Sequence, residues 1–135
     1  TLMGFYDRFQ EKKIEPEIQI PENDIYVIAN HQALTRVIEN LLTNAVTHSN
    51  GNVSIILEEH EKTARLIIKN GAPSLTEIDV SRIFDRFYMA DQARLGKSTG
   101  LGLSIVKKLM EKMNGSVTVS LKNKQLSIVC EWRKI

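Results

Sequence analysis

The stretch His31-Gln32-Ala33-Leu34-Thr35-Arg36-Val37-Ile38-Glu39-Asn40-Leu41-Leu42-Thr43-Asn44-Ala45-Val46-Thr47-His48 decides the fold. Its apolar positions Leu34, Val37, Ile38, Leu41, Leu42 and Ala45 recur at i, i+3, i+4 and i+7, the spacing of a helix with one buried stripe. Asn30, just ahead of it, has the side chain of an N-cap. On either side the period changes from that of a helix to that of strands. Upstream, Glu17-Ile18-Gln19-Ile20 alternates polar with apolar, and Ile25-Tyr26-Val27-Ile28-Ala29 is rich in β-branched and aromatic residues, so both predict strands. Downstream, Val53–Leu57 and Ala64–Ile68 flank the charged stretch Glu58–Lys62 and predict a hairpin with His60 near its tip. Thr76 with Asp79 three residues on resembles a capping box, opening a short helix carried by Val80, Ile83, Phe84 and Phe87. Ile105, Val106, Leu109, Met110 and Met113 predict another helix, ended by Asn114-Gly115. Val117, Val119 and Leu121, then Leu126, Ile128, Cys130 and Trp132, alternate as a closing hairpin. An amphipathic helix set among half-buried strands predicts an α+β two-layer sandwich: a mixed sheet of about five strands with helices on one face.

The 135 residues provide for one domain with one core. Eighteen Lys and Arg against sixteen Asp and Glu, with no block of like charge, give +2, so nothing electrostatic calls for nucleic acid or an anionic membrane. Any anion must be held by a local site. No apolar run approaches the ~20 residues that span a bilayer, and one cysteine makes neither an internal disulfide nor a zinc site, which predicts a soluble domain in the cytosol. Leu2, Phe5 or Tyr6, and Phe9 are spaced as a short helix that starts in mid-pattern, which predicts a longer protein whose missing part lies N-terminal.

Two constellations could carry chemistry. At ~100° per residue, Asn40 and Asn44 lie one turn apart on the same edge of the apolar stripe. An Asn oxygen is a hard, neutral ligand of the kind Mg²⁺ accepts when phosphate oxygens supply the rest of its octahedron. Taken alone, the pair reads more simply as two solvated residues beside an apolar face. The second is Gly100-Leu101-Gly102-Leu103, which follows a loop from Met89 to Thr99 without apolar periodicity and opens a helix. Two missing side chains and the free N–H groups of a helix start suit a phosphate, although an ordinary loop-to-helix junction reads the same way.

In order along the chain stand Asn40-Leu41-Leu42-Thr43-Asn44-Ala45, Asn70-Gly71-Ala72-Pro73-Ser74, Ile83-Phe84-Asp85-Arg86-Phe87-Tyr88 and Thr99-Gly100-Leu101-Gly102-Leu103-Ser104-Ile105-Val106. From about Ile14 to Trp132 this resembles the catalytic, ATP-binding domain of bacterial sensor histidine kinases, in the GHKL superfamily that includes gyrase, mismatch-repair and chaperone ATPases. The resemblance implies the Bergerat fold with an ATP lid, and ATP with Mg²⁺. It implies that Asn44 carries the Mg²⁺, that Asn40 assists at the phosphates and that Asn70 holds the adenine amino group. It further implies that Gly100, Leu101, Gly102 and Leu103 wrap the phosphates, that Phe84 and Phe87 form an aromatic box and that Met89–Thr99 is the lid. Ala72, Ile83 and Tyr88 complete the implied nucleotide set together with Arg94 and Lys97, two lid cations placed over the γ-phosphate, and Asn40, Asn44 and Lys97 form the catalytic group. The implied organisation is a connection over 1–13 from upstream dimerisation and phospho-acceptor helices, then the catalytic domain over 14–135. The implied partners are those helices and, indirectly, a response regulator. The whole protein would be a membrane-anchored homodimer in a bacterium, with this domain in the cytoplasm and no nucleic-acid partner.

The departures from the family pattern are informative. Asn70 stands where the family usually has Asp, with Ala72 and Ser74 in place of two glycines. A neutral amide whose NH₂ can turn inward predicts weaker discrimination against guanine. Met89 replaces a common Arg, Thr47 and His48 replace a Lys-Tyr pair, and Asn123-Lys124-Gln125 stands where relatives place Gly-Thr. Relatives that hydrolyse ATP carry a Glu base four residues before the metal-binding Asn. Here that position is Asn40, and Glu39 points about 100° away. Phosphoryl transfer to an external histidine asks for positioning and electrostatics rather than a base in this domain. His31, His48 and His60 lack the His-Glu/Asp context of a phospho-acceptor and read as structural or solvated, as Cys130 and Trp132 read as core. The competing readings are a degenerate nucleotide-binding regulatory module, favoured by Asn70, Ala72, Ser74 and Met89, and a self-sufficient GHKL ATPase, disfavoured by Asn40.

Overall fold

The computed structural model describes residues 2–48, 51–73, 75–85 and 102–135. The amphipathic stretch forms helix α2 (His31–His48) after α1 (Leu2–Glu11) and the short strand β1 (Glu17–Gln19). Asn30 caps α2 as its side chain predicts: Oδ1 accepts from the Ala33 N–H at 3.0 Å, while the Asn30 carbonyl accepts the first helical bond from Leu34 at 2.8 Å. Then come β2 (Val53–Glu59), β3 (Thr63–Gly71), α3 (Glu77–Arg82), α4 (Gly102–Lys112), β4 (Ser116–Lys122) and β5 (Gln125–Arg133). The five strands form one mixed sheet in the order β1-β2-β3-β5-β4, with β1 parallel to β2 and every other pair antiparallel.

Alternation divides the sheet into two faces. Ala64, Leu66, Ile68 and Asn70 of β3, with Leu126, Ile128, Cys130 and Trp132 of β5, point into the core. They meet Val37, Leu41, Leu42 and Ala45 of α2 and Val106 and Met110 of α4. The opposite face is half-exposed and carries the Arg65–Glu131 ion pair, whose partners lie directly across β3 and β5. Phe9 and Ile14 belong to the same core, at 1% and 2% exposure. Between the first half of α2 and the sheet lies an apolar cavity of about 270 Å³, lined by Leu34, Ile38, Leu57, Ala64 and Trp132 among others. Among the described residues no helix is long and apolar enough to cross a membrane.

Two expectations need correction. Residues Ile25–Ala29 do not form a regular strand. Only Val27 bridges, to Lys134, because β5 ends at Arg133 and leaves little ladder to pair with. Two bonds clamp the segment there, Ile28 N–H to the Arg133 carbonyl and Ile135 N–H to the Tyr26 carbonyl, while Tyr26 and Ile28 stay exposed. The short helix also ends earlier than its apolar spacing suggests. The capping box is present, with the Thr76 hydroxyl accepting from Asp79 N–H and the Asp79 carboxylate accepting from Thr76 N–H. The helix stops at Arg82, Ile83 and Phe84 lie in the turn that follows, and Phe87 lies outside the described residues.

Candidate active site

Topology gathers the candidate residues at one end of the sandwich. Helix α2 starts beside the end of β5, where Ile28 bonds to Arg133, and finishes just before Val53, the residue paired with Asn70. Helix α4 runs the other way, since it leads through Asn114-Gly115 into Ser116, which pairs with Glu131 at the far end of the sheet. The two helices pack side by side. The N-terminus of α4, the Asn-bearing half of α2 and the C-terminal end of β3 therefore converge.

At that end Asn40 and Asn44 are half-buried, whereas Glu39 is exposed, so the two carboxamides border the core and the carboxylate does not. Among the described residues no group of three His, Cys, Asp or Glu side chains could enclose a metal ion. A divalent cation here would draw most of its oxygens from a bound phosphate and water, with a carboxamide as the protein's share. Gly102 is the first residue of α4 and Leu103, half-buried, the second. Their helix start presents backbone donors and the positive end of the macrodipole.

Asn70 is the one buried polar residue among those described, 1% exposed. The strand β3 extends past Ile68, where the sequence predicts its end, and carries Asn70 into the ladder between Val53 and Leu126 with its side chain on the core face. Its Nδ2 donates to the Gly71 carbonyl at 3.3 Å, and its Oδ1 has no partner. A buried acceptor left unmatched costs about 1–3 kcal/mol, so the site is built for a donor. Ala72, 7% exposed, continues the strand end, its N–H bonded to the Lys124 carbonyl at 2.8 Å.

Ile83 and Phe84 are half-buried after α3, and Lys107 of α4 places its ammonium 5.7 Å from the centre of the Phe84 ring. The cation ties the turn after α3 to α4. The spacing of α4 does not reveal Lys107 as a partner of Phe84, because its neighbours at helical spacing are simply α4's core stripe. Phe87, Tyr88, Arg94, Lys97, Gly100 and Leu101 lie outside the described residues. The structure thus brings together Asn40, Asn44, Asn70, Ala72, Gly102 and Leu103, with Ile83 and Phe84 on the segment that leads from them.

His60 and His31 lie away from this end. His60 sits in the β2–β3 turn, 3.1 Å from the Glu58 carboxylate, and His31 is exposed at the first turn of α2. Cys130 is fully buried, and burial pushes its thiol up to about 12, which removes it as a nucleophile.

The sequence model of the histidine kinase-, DNA gyrase B- and HSP90-like ATPases matches residues 29–133. Sensor histidine kinase YcbM of Bacillus subtilis is 32% identical over 126 residues, which cover 90% of this chain and 40% of that protein. Sensor histidine kinase WalK of the same species is 34% identical over 120 residues, 82% of this chain and 20% of its own length. The chain thus spans well under half of these relatives. Among solved structures, the mycobacterial sensor histidine kinase MprB superposes with a TM-score of 0.78 at 25% identity, over 98% of this chain and 95% of that one. The catalytic domain of histidine kinase ThkA superposes with a TM-score of 0.83 at 24% identity, over 98% and 88%.

Proposed function

The chain belongs to the histidine kinase-, DNA gyrase B- and HSP90-like ATPase family, and from that premise we propose that residues 14–135 act as the ATP-binding catalytic domain of a two-component sensor histidine kinase. Residues 1–13 are the connection to upstream dimerisation and phospho-acceptor helices. The observation that carries the reading is Asn70, a buried amide with an unmatched acceptor at the end of the sandwich where α4 begins and the Asn-bearing half of α2 finishes. ATP supplies the γ-phosphoryl group. Asn70 holds the base, the N-terminus of α4 at Gly102 and Leu103 takes the phosphates on backbone donors, and Asn44 is the protein's ligand to Mg²⁺, with Asn40 assisting one turn away. Arg94 and Lys97 add positive charge over the γ-phosphate, and Phe87, Tyr88, Gly100 and Leu101 complete the enclosure.

The charge pattern favours transfer over hydrolysis. Asn40 holds the position from which a carboxylate would deprotonate water, and Glu39 is exposed on the other side of α2. The acceptor is then a histidine on the upstream helices, the phosphoryl passes on to a response regulator, and the whole protein is a membrane-anchored homodimer with this domain in the bacterial cytoplasm.

Calorimetric titration with ATP, with and without Mg²⁺, tests the site. Asn44→Ala loses most of the Mg²⁺-dependent gain in affinity, about tenfold or more as expected for a contact to a charged group, while its circular dichroism is unchanged. Equal affinity in variant and parent at matched Mg²⁺ removes Asn44 from the metal. Mixing the chain with the upstream helices and ATP should label the helices with acid-labile phosphohistidine, and no label under any signalling state favours a regulatory module.

A further inference from the structure

We propose that the cavity between the first half of α2 and the sheet is a second binding site, separate from the nucleotide site, for a small uncharged apolar molecule such as a short alkyl chain or a compact hydrocarbon ring. The inference goes beyond the nucleotide reading and does not rest on it.

The core is underfilled at this end. On the core face of β2, Val53 and Ile55 are 3% and 4% exposed, but Leu57, next on the same face, is only half-buried. On α2, Val37, Leu41 and Leu42 are buried, while Leu34 and Ile38 of the same stripe are half-buried. All three half-buried side chains pack against the core and line the cavity, so the surface they leave uncovered is its wall. On the sheet side the cause is Ala64. It pairs with Trp132 across the β3–β5 ladder and supplies only a methyl group where Leu66 and Ile68, next on its face, supply full-sized side chains.

The size and the wall fix the class of ligand. Native interiors hold few voids larger than a water molecule, and this one measures about 270 Å³. A dry cavity of about 150 Å³ walled by Leu, Ile and Phe takes up benzene, so this space admits a molecule somewhat larger than one aromatic ring. Water is a poor occupant, because a buried water needs about two to four polar partners. The wall is built from Ile, Leu, Val, Ala and Trp side chains. The polar atom among those side chains, Trp132 Nε1, is buried and presents no surface to the space. A charged ligand would lose its hydration there without compensation.

Access is from one side. Among the described residues that line the cavity, Ile20 alone is exposed, at 52%, and it marks the mouth between β1 and α2. A wall that lies inside the domain except at one residue suits a small molecule that enters rather than the surface of a folded partner. Asn40, Asn44, Asn70, Ala72, Gly102 and Leu103 do not belong to this wall.

Trp132 is the chain's one tryptophan and part of the wall, so its fluorescence reports the occupant directly. In the nucleotide-free chain, 1-bromopentane, an apolar heavy-atom quencher, should quench it saturably. Cyclohexane, which does not quench, should restore the emission by competition. Iodide should quench little, because Trp132 is 3% exposed. Ala64→Leu fills the space from the sheet and Ile38→Phe from the helix. Each should weaken 1-bromopentane binding by about tenfold or more, with circular dichroism unchanged. Quenching that rises linearly without saturation, indifference to cyclohexane, or undiminished saturable quenching in both folded variants overturns the site. If neither variant folds, saturation and competition in the parent decide. These readings use no ATP, so failure of the nucleotide reading leaves the test intact.

Discussion

Cys130 lies on the core face of β5, opposite Leu66 of β3 and Val117 of β4, and desolvation raises its thiol from the ordinary 9.0 to about 12. The sign of the resulting pH dependence is fixed by which state holds the proton. Above about pH 9 the unfolded chain releases it while the folded chain keeps it, so folding stability is whole below that pH and falls between about 9 and 12. Urea midpoints measured at intervals across that range should drop more steeply for the parent than for Cys130→Ala, which is less stable throughout but lacks this slope. Parallel slopes would mean that the thiol ionises alike in both states. Gly115 is a second residue whose role depends on its neighbours. A Cβ there would stand 2.5 Å from the Glu131 carbonyl oxygen and 2.9 Å from Met110 Cε, so it is the close approach of α4's end to β5 that requires a glycine.

Helix ends and turns show how local backbone demands are met without the residue best suited to each. Helix α4 closes in a Schellman motif: Gly115 N–H reaches the Met110 carbonyl and Asn114 N–H the Glu111 carbonyl, with Asn114 itself left-handed at φ 58°. Helix α1 closes the same way, with Ile14 N–H to the Phe9 carbonyl, Lys13 N–H to the Gln10 carbonyl and Lys13 at φ 58°. The buried Phe9–Ile14 pair at this motif fastens the helix end into the core. The β4–β5 hairpin turns on Asn123 and Lys124 at φ 54° and 62°, the type I′ geometry for which Asn-Gly is the favoured pair. Asn accepts a left-handed backbone at little cost, whereas Lys does not. Lys124→Gly should therefore stabilise the domain by about 0.5–1 kcal/mol, read as a higher urea midpoint with an unchanged slope. The Lys124 carbonyl that receives Ala72 N–H is backbone, so the contact near Asn70 survives the change. A lower midpoint would show that the Lys124 side chain contributes more than its backbone costs.

Across the whole molecule, α1 is packed as part of the domain. Phe9 is 1% exposed in the common core, and Lys12 donates its ammonium to the Val46 carbonyl in the last turn of α2. A cation there suits the negative end of the helix. Helix α1 thus grips the helix that carries Asn40 and Asn44 within one turn of Asn44. Phe9→Ala should cost about 3–5 kcal/mol, as for other buried aromatics cut back to Ala, measured by urea denaturation. A loss below about 1 kcal/mol would mean that α1 is only laid against the surface.

Periodicity and turn chemistry sufficed for much of this. The α2 stripe, the Asn30 cap, the Thr76–Asp79 box and the alternation of β2, β3, β4 and β5 are legible because each is a preference exercised within a few residues of chain. The family likewise was legible, since its four motifs are short and stand in order. Other features depended on partners distant in sequence. Ile25–Ala29 has a strand's composition but meets the end of β5, where little ladder remains. Phe84 gains a cation from Lys107 on a helix that no spacing rule connects with it. Asn114-Gly115 reads locally as a helix end, but only the packing assigns the two their parts: Asn114 takes the left-handed backbone and Gly115 yields to a carbonyl of β5. At Asn70 the sequence determined the residue type and hence a neutral amide. The tertiary structure decided which end of that amide is free, because only the sheet holds the Gly71 carbonyl where it can bond one end and repel the other.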